Sequence, residues 1–217
     1  MMTLVIATRN AHKTDEIKAV LGGSFRYLTL ADVPDAPEVE EDGDTFAANA
    51  RRKAEVLAAW LTGFPELHGD GPVAVLADDS GLEVDALDGA PGVRSARYAA
   101  VDGARAGNAS DAANNAKLLQ DLERVADGQR TARFRCAMAL AAAGQDVGER
   151  PTPVFEGVCE GRILRSARGT AGFGYDPLFQ PTGFADTLAE LGAAVKNRIS
   201  HRARALAGLR EHLARRR

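Results

Sequence analysis

The chain has 217 residues, enough to bury a full hydrophobic core, and we expect one large domain or two small lobes. Lys and Arg number 27 against 30 Asp and Glu, with a short basic run at Arg215–Arg217, so we do not expect general nucleic-acid binding. No segment resembles a signal peptide or is long and apolar enough to span a membrane, which predicts a soluble, cytoplasmic protein with no membrane partner.

In the first part of the chain, apolar runs alternate with helical patterns. Residues 3–7 predict a buried strand, and apolar residues at helical spacing predict a helix from Lys13 to Leu21 that ends at Gly22-Gly23. A second strand is expected near Phe25–Thr29, and the proline-rich, acidic segment 34–44 predicts a loop. The chain is therefore expected to begin with a strand, a helix and a second strand.

A longer helix and another buried strand are expected next. Asp44 or Thr45 is placed to cap a helix that runs to about Leu61. Segment 62–72 predicts a surface connection, and the apolar run 73–77 predicts a buried strand. One face of the helix is apolar and carries Phe46, Ala50, Ala54, Leu57 and Leu61.

The second half of the chain contains two strand-like runs in succession, Thr131–Ala142 and Pro153–Ile163, joined by a segment too long for a two-residue hairpin turn. A helix capped by Ser110 is expected before them, and a glycine-rich loop over 169–177 after them. Successive strands with no helix between them predict a mixed-sheet α/β or α+β fold. Two further helix starts are predicted, from Thr187 with Glu190 and from Ser200.

A polar turn between the first strand and the first helix is a candidate phosphate site. Its backbone N–H groups and the helix dipole favour an anion, and Lys13 adds a positive charge. The turn lacks the glycines of a Walker A loop, so an ordinary helix cap with exposed polar residues is the alternative. The residues of this turn are Thr8, Arg9, Asn10, Ala11, His12 and Lys13.

An acidic segment, residues 40–43, precedes a helix that carries a polar stripe. Thr45, Asn49 and Lys53 recur every four residues along that helix and flank its apolar face. A lysine placed beside several carboxylates indicates a binding site, and a solvated acidic loop is the alternative.

Two adjacent aspartates, Asp78 and Asp79, follow the apolar run 73–77. Open α/β sheets place ligand chemistry at the carboxyl ends of their strands. If the strand continues, the two carboxylates face opposite ways, and only one of them points at a ligand unless the chain turns at Gly81. Carboxylates with retained waters suit Mg²⁺ rather than zinc, and an ordinary strand-end turn is the alternative.

A turn with two glycines and two aromatic residues spans residues 172–177. Phe173 and Tyr175 offer ring faces for stacking on a base, and Asp176 offers an acceptor for a base edge. A turn that is merely anchored by its two aromatic side chains is the alternative.

Basic residues gather at the start of the predicted final helix. If Ser200 is the cap, His201 and Arg202 stand in the first turn, where the helix dipole disfavours cations. With Lys196 nearby, contact with an anion or a base explains these residues better than helix stability does.

Taken together, these motifs resemble the inosine-triphosphate pyrophosphatase family, also called the non-canonical purine nucleoside triphosphatases. The resemblance runs nearly from end to end. The chain departs from the pattern of this family at two places. Arg9 occupies a position where many members carry glycine, and segment 62–72 looks longer than in compact members. The segments that carry the resemblance are TRNAHK (8–13), EEDGDTFAANARRKA (40–54), ADDSGLEVDALDGAPGVRSARYA (77–99), FGYDP (173–177) and SHR (200–202).

The resemblance implies one two-lobed domain over residues 1–217, with a mixed α/β (α+β) fold, a long central mixed sheet flanked by helices, and a nucleotide cleft between the lobes. It implies a homodimer that hydrolyses ITP, dITP and XTP to the monophosphate and pyrophosphate with Mg²⁺ as cofactor. A Maf-like pyrophosphatase for modified nucleotides and a non-catalytic nucleotide-binding module are the alternatives. The second is disfavoured because an anion binder without a metal gains nothing from extra carboxylates.

Residue roles follow from the same resemblance, position by position. Residues Thr8–Lys13 and Lys53 would hold the triphosphate, while Glu40 and Asp79 would bind the metal. Asp79 would also be the general base, and Ser80 would contact the substrate. The base and its 6-oxo group would be read by Phe173, Gly174, Tyr175, Asp176, Lys196, His201 and Arg202.

These roles are chemically consistent with triphosphate hydrolysis, which needs neutralised phosphates and a positioned water. Mg²⁺, Lys13 and Lys53 would supply the first, and Asp79 would deprotonate the water. Attack at the α-phosphorus, with pyrophosphate leaving, is implied by the resemblance. A site that donates to the 6-oxo group leaves its donors unpaired when ATP enters, and excluding the guanine 2-amino group needs a residue that the sequence does not identify.

Overall fold

The computed structural model describes residues 1–64, 71–100, 107–144 and 151–215. Six strands lie within these residues: β1 (Thr3–Ile6), β2 (Arg26–Thr29), β3 (Val73–Val84), β4 (Thr131–Ala142), β5 (Val154–Ile163) and β6 (Phe179–Pro181). The same residues contain five α-helices: α1 (Ala11–Leu21), α2 (Phe46–Leu61), α3 (Asp111–Asp121), α4 (Leu188–Ile199) and α5 (His201–Ala214).

The strands form one mixed sheet in the order β2-β1-β3-β4-β5-β6. Strand β1 pairs in parallel with both β2 and β3, whereas β5 and β6 are antiparallel. Strands β4 and β5 also run antiparallel, because Leu140 N–H donates to Pro153 O at one end and Ile163 N–H donates to Arg130 O at the other. The predicted mixed α/β fold is therefore confirmed.

The predicted helix starts are confirmed by their caps. Thr45 accepts a backbone hydrogen bond from Ala48 at the start of α2, and Ser110 caps α3 in the same way. Thr187 and Glu190 form the predicted capping box at the start of α4. Each cap satisfies backbone donors that the first helical turn leaves without a partner, which is why these residue types begin the helices.

The chain divides into two compact units. Unit 1 comprises Met1–Asp79, Cys136–Gly157 and Arg202–Arg217, and unit 2 comprises Ser80–Arg135 and Val158–His201. The boundaries fall inside β3, β4 and β5, so each of these strands contributes residues to both units. The two-lobed single domain and its cleft stay predictions.

The core of unit 1 is built from the apolar faces that the sequence predicted. Leu4 and Ile6 of β1, Ile17 of α1, and Leu206 and Leu209 of α5 are fully buried in one cluster. Because β1 is buried along its whole length, the polar turn that follows it is held by a rigid element.

Unit 2 has a core of its own. Leu82 of β3, Leu118 of α3, Phe134 of β4, Phe179 of β6 and Leu188 of α4 belong to one buried cluster. Phe134 and Phe179 lie with their ring centroids 4.7 Å apart, which joins β4 to β6 within this unit.

Two strands differ from the prediction. The strand predicted over 73–77 is too short, because β3 continues from Val73 to Val84 and contains Asp78 and Asp79 in its interior. Both aspartates find polar partners in unit 1, which allows a strand to continue through them. Strand β6 was not predicted, since its three residues are too few to show an alternating pattern.

Three predicted features fall partly outside the described residues: the connection 62–72, the segment between β4 and β5, and the basic run at 215–217. Within the part of the chain that the structure describes, no helix combines the length and apolar character needed to cross a membrane.

Candidate active site

The polar turn between β1 and α1 has Asn10 as the cap of α1. Asn10 Oδ1 accepts hydrogen bonds from the backbone N–H groups of His12, at 2.9 Å, and Lys13, at 3.3 Å. Thr8 Oγ1 accepts the N–H of Asn10 at 3.2 Å. These side chains therefore fix the backbone of the turn at the positive end of the helix dipole, where an anion is favoured.

An open cavity of about 360 Å³ adjoins this turn within unit 1. Arg9, which stands where many members of the resembling family would carry glycine, is exposed. Three of the residues predicted to bind phosphate, Thr8, Arg9 and Ala11, therefore line this cavity. The residues that line it are Thr8, Arg9, Ala11, Thr14, Asp15, Thr29, Leu30 and Ala31.

The polar stripe of α2 points into the protein. Asn49 is buried, its Nδ2 donates to Asp79 Oδ2 at 2.9 Å, and its Oδ1 accepts the N–H of Gly43 at 2.8 Å. A Cβ at Gly43 would lie 2.7 Å from this same oxygen, so the acidic loop approaches α2 at a residue that has no room for a side chain. Asn49 thus connects the acidic loop to the strand that carries Asp79.

Lys53 is buried one turn after Asn49. Its Nζ donates to the backbone oxygen of Asp78 at 2.6 Å and to Glu41 Oε1 at 2.9 Å. The predicted phosphate-binding lysine is therefore held beside both β3 and the acidic loop. Its carboxylate partner is Glu41, whereas Glu40 is exposed in the same loop.

Asp78 lies in a buried network of charges on one face of β3. It pairs with Lys13, accepts from Arg202 Nε at 3.1 Å, and accepts from the thiol of Cys136 at 3.1 Å. Arg202 also contacts Glu16 of α1 at 2.5 Å. Burial by itself raises the pKa of Asp78, but the charges of Arg202 and Lys13 outweigh it and hold that pKa well below its usual value.

Asp79 lies on the opposite face of β3 and has the opposite electrostatic environment. Burial, with a further contribution from the Glu41 carboxylate, raises the pKa of Asp79 to about 6. The charges of Lys53 and Lys13 and the hydrogen bond from Asn49 oppose this rise without cancelling it. A carboxylate whose pKa lies close to neutrality is suited to accept a proton in a reaction at physiological pH.

The donor set near Asp79 fits a magnesium ion better than a zinc ion. Asp79 and Glu41 are two carboxylates close enough for one to raise the pKa of the other. Among the described residues, no group of three or more His, Cys, Asp and Glu side chains is arranged to hold a metal. Mg²⁺ commonly takes one or two carboxylates and completes its shell with water and substrate phosphates, whereas structural zinc requires a full protein ligand set.

In unit 2, the turn predicted to read the base is closed by a buried ion pair. Lys196 Nζ lies 2.5 Å from Asp176 Oδ2, and both side chains are almost fully buried. Asp176 Oδ2 also accepts the backbone N–H of Phe173 at 3.0 Å. Because Lys196 Nζ lies 4.4 Å from the centroid of the Phe173 ring, the three residues form one connected group.

The two aromatic residues of this turn have different environments. Tyr175 is buried in the core of unit 2, and its hydroxyl donates to the backbone oxygen of Ser95 at 2.8 Å. Phe173 is only half-buried. Of the two rings, Phe173 is therefore the one with a partly exposed surface, and Tyr175 anchors the turn.

The remaining predicted substrate residues lie at three places. Ser80 follows Asp79 in β3 and is half-buried. His201, the first residue of α5, is buried and stacks on Phe134 with ring centroids 4.8 Å apart. Arg202 belongs to the Asp78 network in unit 1, and its side chain is 1% exposed.

The structure thus brings the predicted residues together in two groups. Lys13, Lys53, Asp79 and Arg202 gather around β3 in unit 1, and Phe173, Asp176 and Lys196 gather in unit 2. Three residues in unit 1 received no individual role from the sequence although they stand in its motifs: Glu41, Asn49 and Asp78. Asp78 stood in the candidate aspartate pair and Glu41 in the acidic segment, and the helical spacing with Lys53 pointed to Asn49.

Comparisons with known proteins cover nearly the whole chain. The model of the Ham1 family matches residues 4–212. The dITP/XTP pyrophosphatase of Geobacter sulfurreducens is 55% identical over 214 residues, which are 98% of this chain and 97% of that protein. The enzyme of the same name from Geobacillus kaustophilus is 48% identical over 212 residues, with 97% and 94% covered.

Solved structures of Ham1 proteins also match nearly the whole chain. A HAM1 protein from Coxiella burnetii superposes with a TM-score of 0.81 at 38% identity, covering 99% of this chain and 100% of that one. The Ham1 protein of Staphylococcus aureus superposes with a TM-score of 0.79 at 34% identity and the same coverage.

Proposed function

Because this chain belongs to the Ham1 family, we propose that it hydrolyses non-canonical purine nucleoside triphosphates (dITP, XTP and ITP) to the monophosphate and pyrophosphate. Relatives that are 55% and 45% identical over almost the whole chain are dITP/XTP pyrophosphatases. This activity removes unwanted purine nucleotides from the nucleotide pool. The observation that carries the mechanism is the contrast between Asp78 and Asp79.

Asp79 is the general base of the proposed reaction. Without a metal, burial and the nearby Glu41 carboxylate raise its pKa to about 6, so this environment makes the carboxylate a stronger proton acceptor than an exposed aspartate. Asn49 holds Oδ2 of this carboxylate at 2.9 Å and so fixes its orientation. The carboxylate would orient a water and remove its proton as the water attacks the α-phosphorus, and pyrophosphate would leave.

Lys13 and Lys53 would neutralise the triphosphate. Lys13 follows the turn at the start of α1 and is held by Asp78, while Lys53 is held by Glu41 and the backbone of β3. Both ammonium groups are thus fixed by protein contacts before a substrate arrives. Such preorganised positive charge stabilises the charge that develops on the phosphates in the transition state.

Mg²⁺ is the cofactor we propose, with Asp79 as one ligand and a carboxylate of the acidic loop, Glu40 or Glu41, as a second. Glu41 is favoured by its effect on the pKa of Asp79 and by its contact with Lys53. When bound, Mg²⁺ would neutralise phosphate charge and make the attacking water more acidic. Two carboxylates with water and phosphate oxygens are a sufficient set for this ion.

The base would be read by residues of unit 2. The ring of Phe173 is partly exposed and would stack on the base, and the Asp176–Lys196 pair beside it would supply an acceptor and a donor. His201 would also read the base, and Ser80 would contact the substrate, as the family resemblance implies. A donor directed at the 6-oxo group would lose its partner when the 6-amino group of adenine takes its place, which selects against ATP.

A homodimer in the cytoplasm is also part of the proposal, implied by the family resemblance. Light scattering coupled to size exclusion tests the dimer directly. A monomer at micromolar concentration would contradict it.

The experiment that tests the proposed function is pyrophosphate release from ITP, dITP, XTP, GTP and ATP, each with Mg²⁺ and with EDTA. We expect pyrophosphate from the first three nucleotides only, and none in EDTA. Monophosphate and pyrophosphate should appear in equal amounts, because cleavage at the α-phosphorus produces one of each.

Absence of turnover with every purine triphosphate would overturn the proposed function and leave the family membership unexplained at the level of activity. Turnover that persists in EDTA would overturn the Mg²⁺ proposal alone. Release of inorganic phosphate in place of pyrophosphate would contradict attack at the α-phosphorus.

A further inference from the structure

The turn that presents Phe173 has little rigidity of its own. Phe173 stands between Gly172, with φ of 80°, and Gly174, with φ of 61°. Glycine adopts positive φ readily and retains wide conformational freedom, so two glycines beside one aromatic residue form an intrinsically mobile joint. The position of the ring therefore depends on bonds that reach the turn from elsewhere in unit 2.

Helix α3 supplies two of these bonds, both at Gly174. Asp111 Oδ2 accepts the N–H of Gly174 at 2.6 Å, and Asn115 Nδ2 donates to the carbonyl oxygen of Gly174 at 3.0 Å. Asp111 and Asn115 are one helical turn apart and so lie on the same face of α3. One helix face therefore holds both polar backbone groups of a single glycine.

The neighbouring residues of the turn are held in other ways. Phe173 N–H donates to Asp176, and the Tyr175 hydroxyl donates to Ser95 O. These bonds involve residues of the turn itself or its core anchor. Asp111 and Asn115 hold the turn from outside, because they belong to helix α3. Neither the sequence nor the proposed mechanism assigns this helix a contact with substrate.

We propose that Asp111 and Asn115 are positioning residues for recognition of the base, acting through Gly174 on the Phe173 ring. This inference rests on the proposed function, in which Phe173 stacks on the purine. Loss of either bond lets the glycine joint move and weakens base binding. The phosphate contacts of unit 1 are unaffected, since neither residue belongs to that group.

The decisive variants separate the hydrogen bond from the helix that carries it. Asp111→Ala removes the acceptor, whereas Asp111→Asn retains an amide oxygen that still accepts the Gly174 N–H. We expect KM for ITP to rise about tenfold in Asp111→Ala and about threefold in Asn115→Ala, with kcat changed less than KM. Asp111→Asn is expected to stay near the wild-type KM, and inhibition by pyrophosphate is expected to stay unchanged in all three variants.

Ser110→Ala is the matched control on the same helix. Ser110 caps α3 through Ala113 N–H, so this variant weakens the helix without touching Gly174. We expect a lower Tm for Ser110→Ala with an unchanged KM. A KM increase in Ser110→Ala equal to that of Asp111→Ala would mean that helix stability, and not the bond to Gly174, controls base binding, and would overturn the proposal.

Hydrogen exchange of the peptide over 172–176, measured without nucleotide, tests the joint independently of activity. We expect faster exchange in Asp111→Ala and Asn115→Ala than in wild type, Asp111→Asn and Ser110→Ala. Unchanged exchange in the first two variants would overturn the proposal that Asp111 and Asn115 hold the turn at Gly174, even if the enzyme hydrolyses ITP. Faster exchange with an unchanged KM would overturn the link to base recognition, while a wild-type protein inactive on ITP would refute the proposed function and leave the exchange result to stand.

Discussion

The two compact units hold their buried charges in different ways. In unit 1, Asp78 is surrounded by Lys13 and Arg202 and has a lowered pKa, while the next residue, Asp79, has a pKa raised to about 6. In unit 2, the buried carboxylate of Asp176 pairs with Lys196 at 2.5 Å, and the turn around it is tied by backbone hydrogen bonds.

In the proposed function, unit 1 carries out the chemistry and unit 2 recognises the base. In unit 1, burial disfavours the ionised form of Asp79, and keeping that form at neutral pH lowers the stability of the folded protein. Unit 2 pairs its buried charges and uses them to fix the shape of a turn. In the proposed mechanism, reactivity therefore requires an environment that disfavours the ionised form of Asp79, whereas reading a base would require only well-placed, satisfied groups.

The strongest test of this comparison is Asp79→Asn, which removes the proposed base and keeps the shape of the side chain. We expect kcat for ITP to fall about a thousandfold or more, because a proton acceptor in the transition state is lost. Binding of ITP in EDTA, measured by calorimetry, is expected to persist, because Lys13, Lys53 and the residues that would read the base remain. Near-normal kcat in this variant would remove Asp79 as the base.

The structural counterpart in unit 1 is Asp78→Asn. This change leaves Lys13 and Arg202 in a buried network that has lost one carboxylate, and we expect the free energy of unfolding to fall by roughly 3 kcal/mol. Folding lowers the pKa of Asp78. The contribution of this carboxylate to stability is therefore present above its usual pKa of 3.8 and is lost as the pH falls through the lower folded-state pKa. The deficit of the variant in urea unfolding should therefore shrink in strong acid.

Asp127→Asn is the matched control for Asp78→Asn. Asp127 forms an exposed ion pair with Arg165 at 2.6 Å, and exposed pairs contribute little. We expect a change in unfolding free energy below about 1 kcal/mol. Equal losses in the two variants would contradict a special role for the buried network.

Much of unit 1 follows from the sequence because its signals are local. The apolar run of β1, the spacing of Ile17 and Leu21 in α1 and the cap at Thr45 each depend on neighbours within a few residues. The turn that ends with Lys13 is predicted for the same reason. The polar turn and the polar face of α2 therefore lie where the sequence predicted them, and phosphate binding at the turn stays a prediction.

The long-range contacts on which the proposed chemistry depends do not follow from local signals. Asp78 meets Arg202 across 124 residues of sequence, and Asn49 meets Asp79 across 30. Neither partner is indicated by the spacing around the other, so the sequence predicts that the two carboxylates face opposite ways but not which of them is paired with buried cations. Likewise, burial of Tyr175 in the core depends on how unit 2 folds, and an aromatic residue in a glycine-rich turn looks the same whether it stacks on a base or on the core.

The contrast between Asp78 and Asp79 can also be tested by the effect of Asp79→Asn on stability. Because folding raises the pKa of Asp79 from 3.8 to about 6, the stability linked to its protonated form is present below the lower value and is lost as the pH rises through about 6. In EDTA at neutral pH, Asp79→Asn is therefore expected to be up to about 3 kcal/mol more stable than wild type. The advantage should disappear near pH 4, and an advantage independent of pH in urea unfolding would contradict the raised pKa.

The smallest effect is expected in unit 2, where His201 is predicted to read the base. His201→Phe keeps an aromatic ring against Phe134 and removes the ring nitrogens, whereas His201→Ala removes the stack as well. We expect the ratio of kcat/KM for ITP over ATP to fall roughly tenfold in both variants, because a donor to the 6-oxo group is lost, with inhibition by pyrophosphate unchanged. Only His201→Ala should also lower Tm, since it leaves space beside Phe134 in the core. If the ratio is unchanged in both variants, His201 serves the packing of unit 2 alone, and recognition of the 6-oxo group must be sought at Lys196 and the Phe173 turn.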